Sequence, residues 1–397
     1  MQMELKDLAT ALGIETYPDV LEKIYENLSE NDQLICDLDF IKALHEKYDL
    51  LGDYYDIVIE GAKDLSGKKN LLTWATLTYA YRKDVSRFEA KKMPLPQSDG
   101  SPAGEMFPVL VVIREVPDMV NRYRSRGLNQ SQIKKNLENI RINLWVHKIT
   151  QGTVSLNKSL FDWLMLYTKA LIFDHKGFNY QPTVWEYNSM VLKNKKTAEH
   201  VIVMINGRFA KNGLILGSAG VQDEKGAFGA EFNEFPDCFF GHRSTNGRVQ
   251  PTLEKFEKTE WKAVLRPGDD VVALHIPRNT NLDPDYVSES FEEGLALAKK
   301  FYPELSPKCI VCHSWLMDPM LAYILGPDAK LSKFTTRFMK HPTMDASGAG
   351  CLGYVWPGEK APVETYSEKT TLQRGIKKLM LEGDFIRNTT GVITNDL

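Results

Sequence analysis

Two short apolar runs bracket a helical repeat between Trp261 and Leu325, and each run is followed by an Asp-Pro pair. No other stretch limits the fold so tightly. Val271-Val272-Ala273-Leu274-His275-Ile276 is β-branched, lacks a helical period and lies between Pro267-Gly268 and Pro277, the marks of a buried strand. After Arg278-Asn279-Thr280-Asn281, Asp283 offers a cap acceptor and Pro284 a first helical residue whose missing N–H is no loss. Val287, Phe291, Leu295 and Ala298 then recur at helical spacing. Cys309-Ile310-Val311-Cys312 reads as a second strand, and Asp318-Pro319 opens another helix through Leu321 and Ile324. A strand, crossover helix and strand joined this way form a parallel, right-handed unit, with ligands at the C-terminal strand ends. His275 and His313 both fall at those ends.

Composition narrows the classes. A net charge of −3, from 49 Lys plus Arg against 52 Asp plus Glu, gives no basic field for nucleic acid or an anionic membrane. The longest apolar run, Met106 to Ile113, is too short to span a bilayer, and Glu4, Lys6 and Asp7 occupy the place of a signal-peptide core. The expectation is a cytoplasmic protein that binds neither nucleic acid nor membrane. Five scattered cysteines make no disulfide framework. Cys309 and Cys312 have the spacing of a metal pair, but residues three apart on a strand face opposite ways and no second Cys-x-x-Cys exists. They are expected to be buried strand cysteines, with no metal.

The first half reads as helices. Pro18 to Leu28 and Leu71 to Tyr81 carry apolar faces, Asn129 with Gln132 forms a capping box before Ile133, and Ser159 with Asp162 forms another before Trp163. Lys92 to Gly104, with three prolines and two glycines, is expected to loop between helices within a domain. Near residue 175 the helical periods give way to short runs: Thr183 to Tyr187, His200 to Ile205, Gly213 to Leu216, Phe228 to Phe232 and Trp261 to Leu265. Lys193 to Lys196 reads as a hairpin turn. Leu331 to Lys340 places Phe334 and Phe338 one helical turn apart, Gly353-Tyr354-Val355-Trp356 reads as a last strand, and Thr371 to Leu381 as a final helix. The expected fold is α+β: a helical domain over 1–175, then an α/β domain over 176–397 with a mixed, mostly antiparallel sheet and one central parallel pair.

Several strings together resemble a known family. They are Gly268-Asp269-Asp270-Val271-Val272-Ala273-Leu274-His275-Ile276-Pro277, Cys312-His313-Ser314-Trp315-Leu316-Met317-Asp318-Pro319 and Leu372-Gln373-Arg374, with Tyr123-Arg124-Ser125-Arg126-Gly127 and Trp163-Leu164 upstream. The second half resembles the GNAT-like acyltransferase C-terminal domain, and the first half the helical domain that accompanies it in bacterial acyltransferase-domain proteins. The resemblance implies acyl transfer from acetyl-CoA or another acyl-CoA to a small-molecule or peptide amine, with the acyl-CoA in a split between the two parallel strands. Pro277, Arg278, Asn279, Thr280, Asn281, Leu282, Ser314 and Trp315 are then expected at the coenzyme.

Acyl transfer to an amine needs a base, an oxyanion donor and an acid for the leaving thiolate. His275 is the leading candidate base, with His313 second; the alternative for each is a core histidine bonded to backbone. The resemblance puts Tyr323 where a phenol acid stands, and Glu231 and Glu234 are candidates for the substrate amine. Asp318 and Trp315 have structural readings, as a helix cap and as sheet-to-helix packing. The loop from Arg278 to Leu282 has no glycine, unlike the family's pyrophosphate loop. That departure motivates the alternative, a catalytically inactive ligand-binding or regulatory protein of the same fold.

Overall fold

The computed structural model describes residues 3–28 and 35–394. The chain separates into two compact units, Met1–Phe173 and Asp174–Leu397.

The first unit is helical: α1 (Leu5–Ala11), α2 (Val20–Glu26), α3 (Leu38–Tyr48), α4 (Tyr55–Gly67), α5 (Lys69–Asp84), α6 (Arg87–Ala90), α7 (Pro102–Ser125), α8 (Gln130–Gln151) and α9 (Lys158–Thr168). The apolar run Met106 to Ile113 lies in α7 and is buried throughout, so this helix forms the centre on which α4, α5 and α9 pack. Gly61 permits the close crossing of α4, because a Cβ there would lie 2.3 Å from Met106 Cγ. Arg82 of α5 and Glu115 of α7 pair at 2.7 Å out of solvent, with the guanidinium 3.7 Å over the Phe161 ring. Arg122 and Lys169 donate to the Lys83 carbonyl and so serve the open C-terminal end of α5.

The Asn129–Gln132 capping box is present at α8. At α9 the cap is Asn157, which accepts from Leu160 N at 3.0 Å; Ser159 is already inside the helix, and Asp162 pairs with Lys158 at 2.5 Å. The box expected at Ser159 is thereby corrected.

The described residues of the second unit form two large sheets and one two-stranded sheet. Its strands are β1 (Phe173–His175), β2 (Phe178–Val184), β3 (Ser189–Asn194), β4 (His200–Met204), β5 (Arg208–Phe209), β6 (Phe228–Gly229), β7 (Phe232–Glu234), β8 (Cys238–Thr245), β9 (Arg248–Glu257), β10 (Trp261–Leu265), β11 (Asp270–His275), β12 (Ile310–Ser314), β13 (Met339–His341) and β14 (Thr389–Val392). Among them lie α10 (Pro284–Phe301), α11 (Met320–Leu325), α12 (Lys330–Thr335), α13 (Leu352–Val355) and α14 (Thr371–Leu381). The first sheet runs β1-β2-β11-β12-β14-β13, and the second β10-β3-β4-β8-β7 with β9 on β8. β11 and β12 are parallel and joined through α10; their other ladders are antiparallel.

α10 covers one face of the first sheet, where the Tyr180 hydroxyl donates to the Ser290 carbonyl at 2.7 Å. The other face packs Val271, Val311 and Val392 against Trp185, Val191, Ile202, Met204 and Leu265. A separate core around Trp315, Trp356, Ile376 and Ile386 holds α11 and α14.

Three expectations need correction. Gly353 to Val355 lies in α13 and Trp356 caps it: the N–H groups of Val355 and Trp356 reach back to the Cys351 and Leu352 carbonyls at 2.9 and 2.8 Å, so a local turn overrides β propensity. Helix α12 ends at Thr335, and Met339–His341 joins the sheet edge, so Phe334 and Phe338 meet at 5.4 Å across the helix end. Of Gly213 to Leu216, Ile215 alone pairs, in an isolated bridge to Phe209. The Lys193–Lys196 stretch does form the β3–β4 hairpin turn, with Asn194 Oδ1 accepting from Lys196 N and Thr197 N.

Candidate active site

The parallel ladder is short. Val272 pairs with Ile310 and Ala273 with Val311; beyond that β11 stays with β2, through Leu274↔Tyr180 and His275↔Asn179, while β12 follows β14, through Cys312↔Gly391 and His313↔Thr390. The two central strands part at their C-terminal ends. Ile393 N donates to Ile310 O, which turns the polar groups of residue 310 toward β14. By alternation, the backbone of His313 turns toward β11 and meets the gap.

His275 and His313 lie two residues beyond the paired Ala273 and Val311, so both point to the face that packs on the second sheet. Their surroundings differ. His275 Nε2 is 3.0 Å from Gln181 Oε1, a bond between neighbouring strands. His313 is exposed; its Nδ1 is 3.1 Å from Thr390 Oγ1, and Nε2 has no hydrogen-bond partner among the described residues. Crowding by surrounding protein lowers the His313 pKa, and the Asp345 carboxylate opposes that shift.

Thr390 gathers this region. Its hydroxyl lies 2.9 Å from Thr343 Oγ1 and 3.1 Å from His313 Nδ1. Across β14 stands His341, 3% exposed and clasped by the Trp185 and Tyr187 rings at 5.4 and 4.7 Å. Neither His341 ring nitrogen has a partner among the described residues, and burial drives its pKa down to about 3, so it is neutral. Asp345 fixes the loop after β13: its carboxylate accepts from Ser347 N, Gly348 N, Asn388 N and Asn388 Nδ2.

The loop after β11 is shaped without glycine. Asn279 takes the left-handed conformation at φ 65, Thr280 Oγ1 donates to Pro277 O at 2.7 Å, and Asn281 Oδ1 accepts from Asp283 N at 3.0 Å. Arg278 donates to Tyr354 O at 2.7 Å. Asp283 precedes α10 but makes no side-chain cap bond; its carboxylate meets Lys330 at 2.6 Å, which corrects its reading as a capping acceptor. Leu282 carries the chain from this loop into the helix.

The remaining candidates lie apart from the row of histidines. Ser314 Oγ accepts from Leu316 N, and Trp315 is packed in the core beneath α14. Tyr323 stands on α11, 83% exposed. Glu234 is engaged by Arg266 and Lys258, both at 2.9 Å, and the Arg266 guanidinium holds its carboxyl down to about 2. Glu231 is exposed and lies in the chain between β6 and β7. Asp318 accepts from Met320 N at 2.9 Å, as a helix-start acceptor should, and also from Arg387 N at 2.7 Å. Cys309 belongs to the core between the sheets, whereas Cys312 faces the other way with its thiol pushed up to about 12 by burial. Among the described residues no group of three or more His, Cys, Asp or Glu is placed to hold a metal ion, and no helix is long and apolar enough to cross a membrane.

Sequence reasoning missed Gln181, Tyr187, Thr343, Asp345 and Thr390. Each is an ordinary polar residue until the fold brings it near a histidine: Gln181 and Thr390 by strand pairing, the others from loops.

A helical unit followed by a mixed sheet with a parting parallel pair is the architecture of GNAT-like acyltransferases. The comparisons agree: residues 39–170 match the N-acyltransferase N-terminal domain, and residues 229–393 match the GNAT-like C-terminal domain. The chain belongs to the GNAT-like acyltransferase-domain proteins. No curated protein matches it. Among solved structures it is similar in fold to an acyltransferase mutant in complex with octanoyl-CoA, with TM-score 0.66, 13% identity, and 98% of this chain and 99% of that chain covered. An acyltransferase in complex with decanoyl-CoA and teicoplanin gives TM-score 0.65 and 13% identity, covering 98% and 99%.

Proposed function

We propose that this protein is an acyl-CoA-dependent N-acyltransferase acting on a small-molecule or peptide amine in the cytoplasm, with acetyl-CoA or a longer acyl-CoA as donor. The observation that carries the reading is the parting of β11 and β12 beside a histidine whose Nε2 is open. Backbone groups turned to that gap can hydrogen-bond the amides and thioester carbonyl of an acyl-CoA arm. His313 Nε2 takes the proton of the attacking amine; the nitrogen adds to the thioester carbonyl, the carbon–sulfur bond breaks to release the coenzyme A thiolate, and the His313 imidazolium returns the proton to that sulfur, directly or through solvent. His275, bonded at Nε2 to Gln181, serves the reading better as a wall of the gap than as its base. The coenzyme's phosphates would meet Arg278 and the α10 start, whose first-turn N–H groups favour anions.

One observation favours the second reading, a ligand-binding or regulatory protein: Arg278 is tied to Tyr354 O, and Asp283 places a carboxylate at the helix start. Thermal-shift titration with acetyl-, octanoyl- and decanoyl-CoA tests binding, because a ligand at 100 times its Kd adds about 2.7 kcal/mol of stability. Mass spectrometry of an amine panel then tests transfer. Absence of any shift sinks both readings at this site; a shift without acylated product leaves the second.

A further inference from the structure

One set of proton directions fills every contact in the hydroxyl chain behind His313. The His341 carbonyl oxygen accepts only, so its 3.4 Å contact with Thr343 Oγ1 is filled only when Thr343 directs its single proton there. The 2.9 Å contact between Thr343 Oγ1 and Thr390 Oγ1 is then filled by the proton of Thr390. With none left to give, Thr390 accepts from its other partner, His313 Nδ1 at 3.1 Å. A neutral imidazole has one donor and one acceptor nitrogen. If Nδ1 donates, Nε2 keeps the lone pair, and Nε2 is the nitrogen without a partner among the described residues.

We propose that Thr390 is a positioning residue: its hydroxyl, oriented by Thr343, holds neutral His313 as the Nδ1–H tautomer with Nε2 as the basic atom. This rests on the reading of His313 as the base. Histidine free in water favours the opposite, Nε2–H form, so the selection is made by the fold. Thr390 suits the task because β14 pins it between β12 and β13, directly opposite His313 on one side and His341 on the other.

The test is ¹⁵N NMR of the histidine-labelled full chain, with the His313 signals assigned by His313→Gln, in wild type, Thr390→Val, Thr390→Ser and Thr343→Val. Wild type and Thr390→Ser are expected to show His313 as Nδ1–H. Thr390→Val shifts it to Nε2–H, and kcat for acyl transfer falls by roughly 10² with KM for acyl-CoA unchanged. Thr343→Val frees the Thr390 proton to point at Nδ1 and moves the tautomer the same way, which keeps the test decisive if Thr390→Val fails to fold. A wild-type His313 in the Nε2–H form, or no tautomer change in either valine variant, overturns the proposal. The NMR readout does not depend on turnover. An Nδ1–H His313 in a chain that acylates no amine would overturn the acyltransferase reading and leave the tautomer assignment standing.

Discussion

His313 and His275 occupy matching strand ends, yet their ring nitrogens are committed differently, and that difference is testable residue by residue. His313→Ala is expected to lower kcat by about 10² to 10⁴, the usual range for a general base, while His275→Ala has a smaller effect on kcat. Because crowding lowers the His313 pKa, its free base persists to lower pH, and the acid limb of kcat/KM should lie below the ordinary histidine value of 6.5. A limb at or above that value would count against His313. His341 makes a stability prediction. Its pKa falls from 6.5 to about 3 on folding, so between those values the unfolded chain binds a proton that the folded chain refuses. Stability tied to this group is complete above 6.5 and is lost as pH falls toward about 3. His341→Phe should flatten that acid loss and raise neutral stability by about 1–3 kcal/mol, since two unpartnered buried nitrogens are removed. Urea unfolding at several pH values would measure both.

At the scale of elements, Asp318 joins two pieces that meet at the candidate site. One carboxylate oxygen accepts at the start of α11 and the other from Arg387 N, just ahead of β14. Asp318→Ala leaves the buried Arg387 N–H and the partly buried Met320 N–H without their acceptor and should cost about 2–4 kcal/mol by denaturant titration. The parallel unit around α10 was legible because its signals are local: a β-branched run, an Asp-Pro pair, and a repeat at helical spacing. Thr390 was not, because it reaches His313 across 77 positions of sequence, and Gln181 reaches His275 across 94. Pairing between distant strands leaves no periodic trace in either segment. The Gly353–Trp356 run misled for the converse reason: its strand-like residues follow Cys351, whose carbonyl closes a helical turn.

At the scale of the molecule, the helical unit has a buried ion pair at its centre. Glu115→Ala strands the Arg82 guanidinium out of water and should cost about 3–5 kcal/mol, whereas replacing both partners, as in Arg82→Met with Glu115→Leu, should recover most of that loss. A single variant as stable as wild type would contradict this. The second unit carries its weakness in the middle of a sheet, where strands are ordinarily the best protected. Because β11 and β12 separate after Ala273 and Val311, the amide of His313 lies at the heart of the fold without a strand partner on that side. Its hydrogen should exchange with solvent far faster than those of Cys312 and Val272 beside it. A molecule lodged between the strands would slow that exchange, so deuterium uptake at a single central amide would report occupancy of the gap without any chemistry taking place.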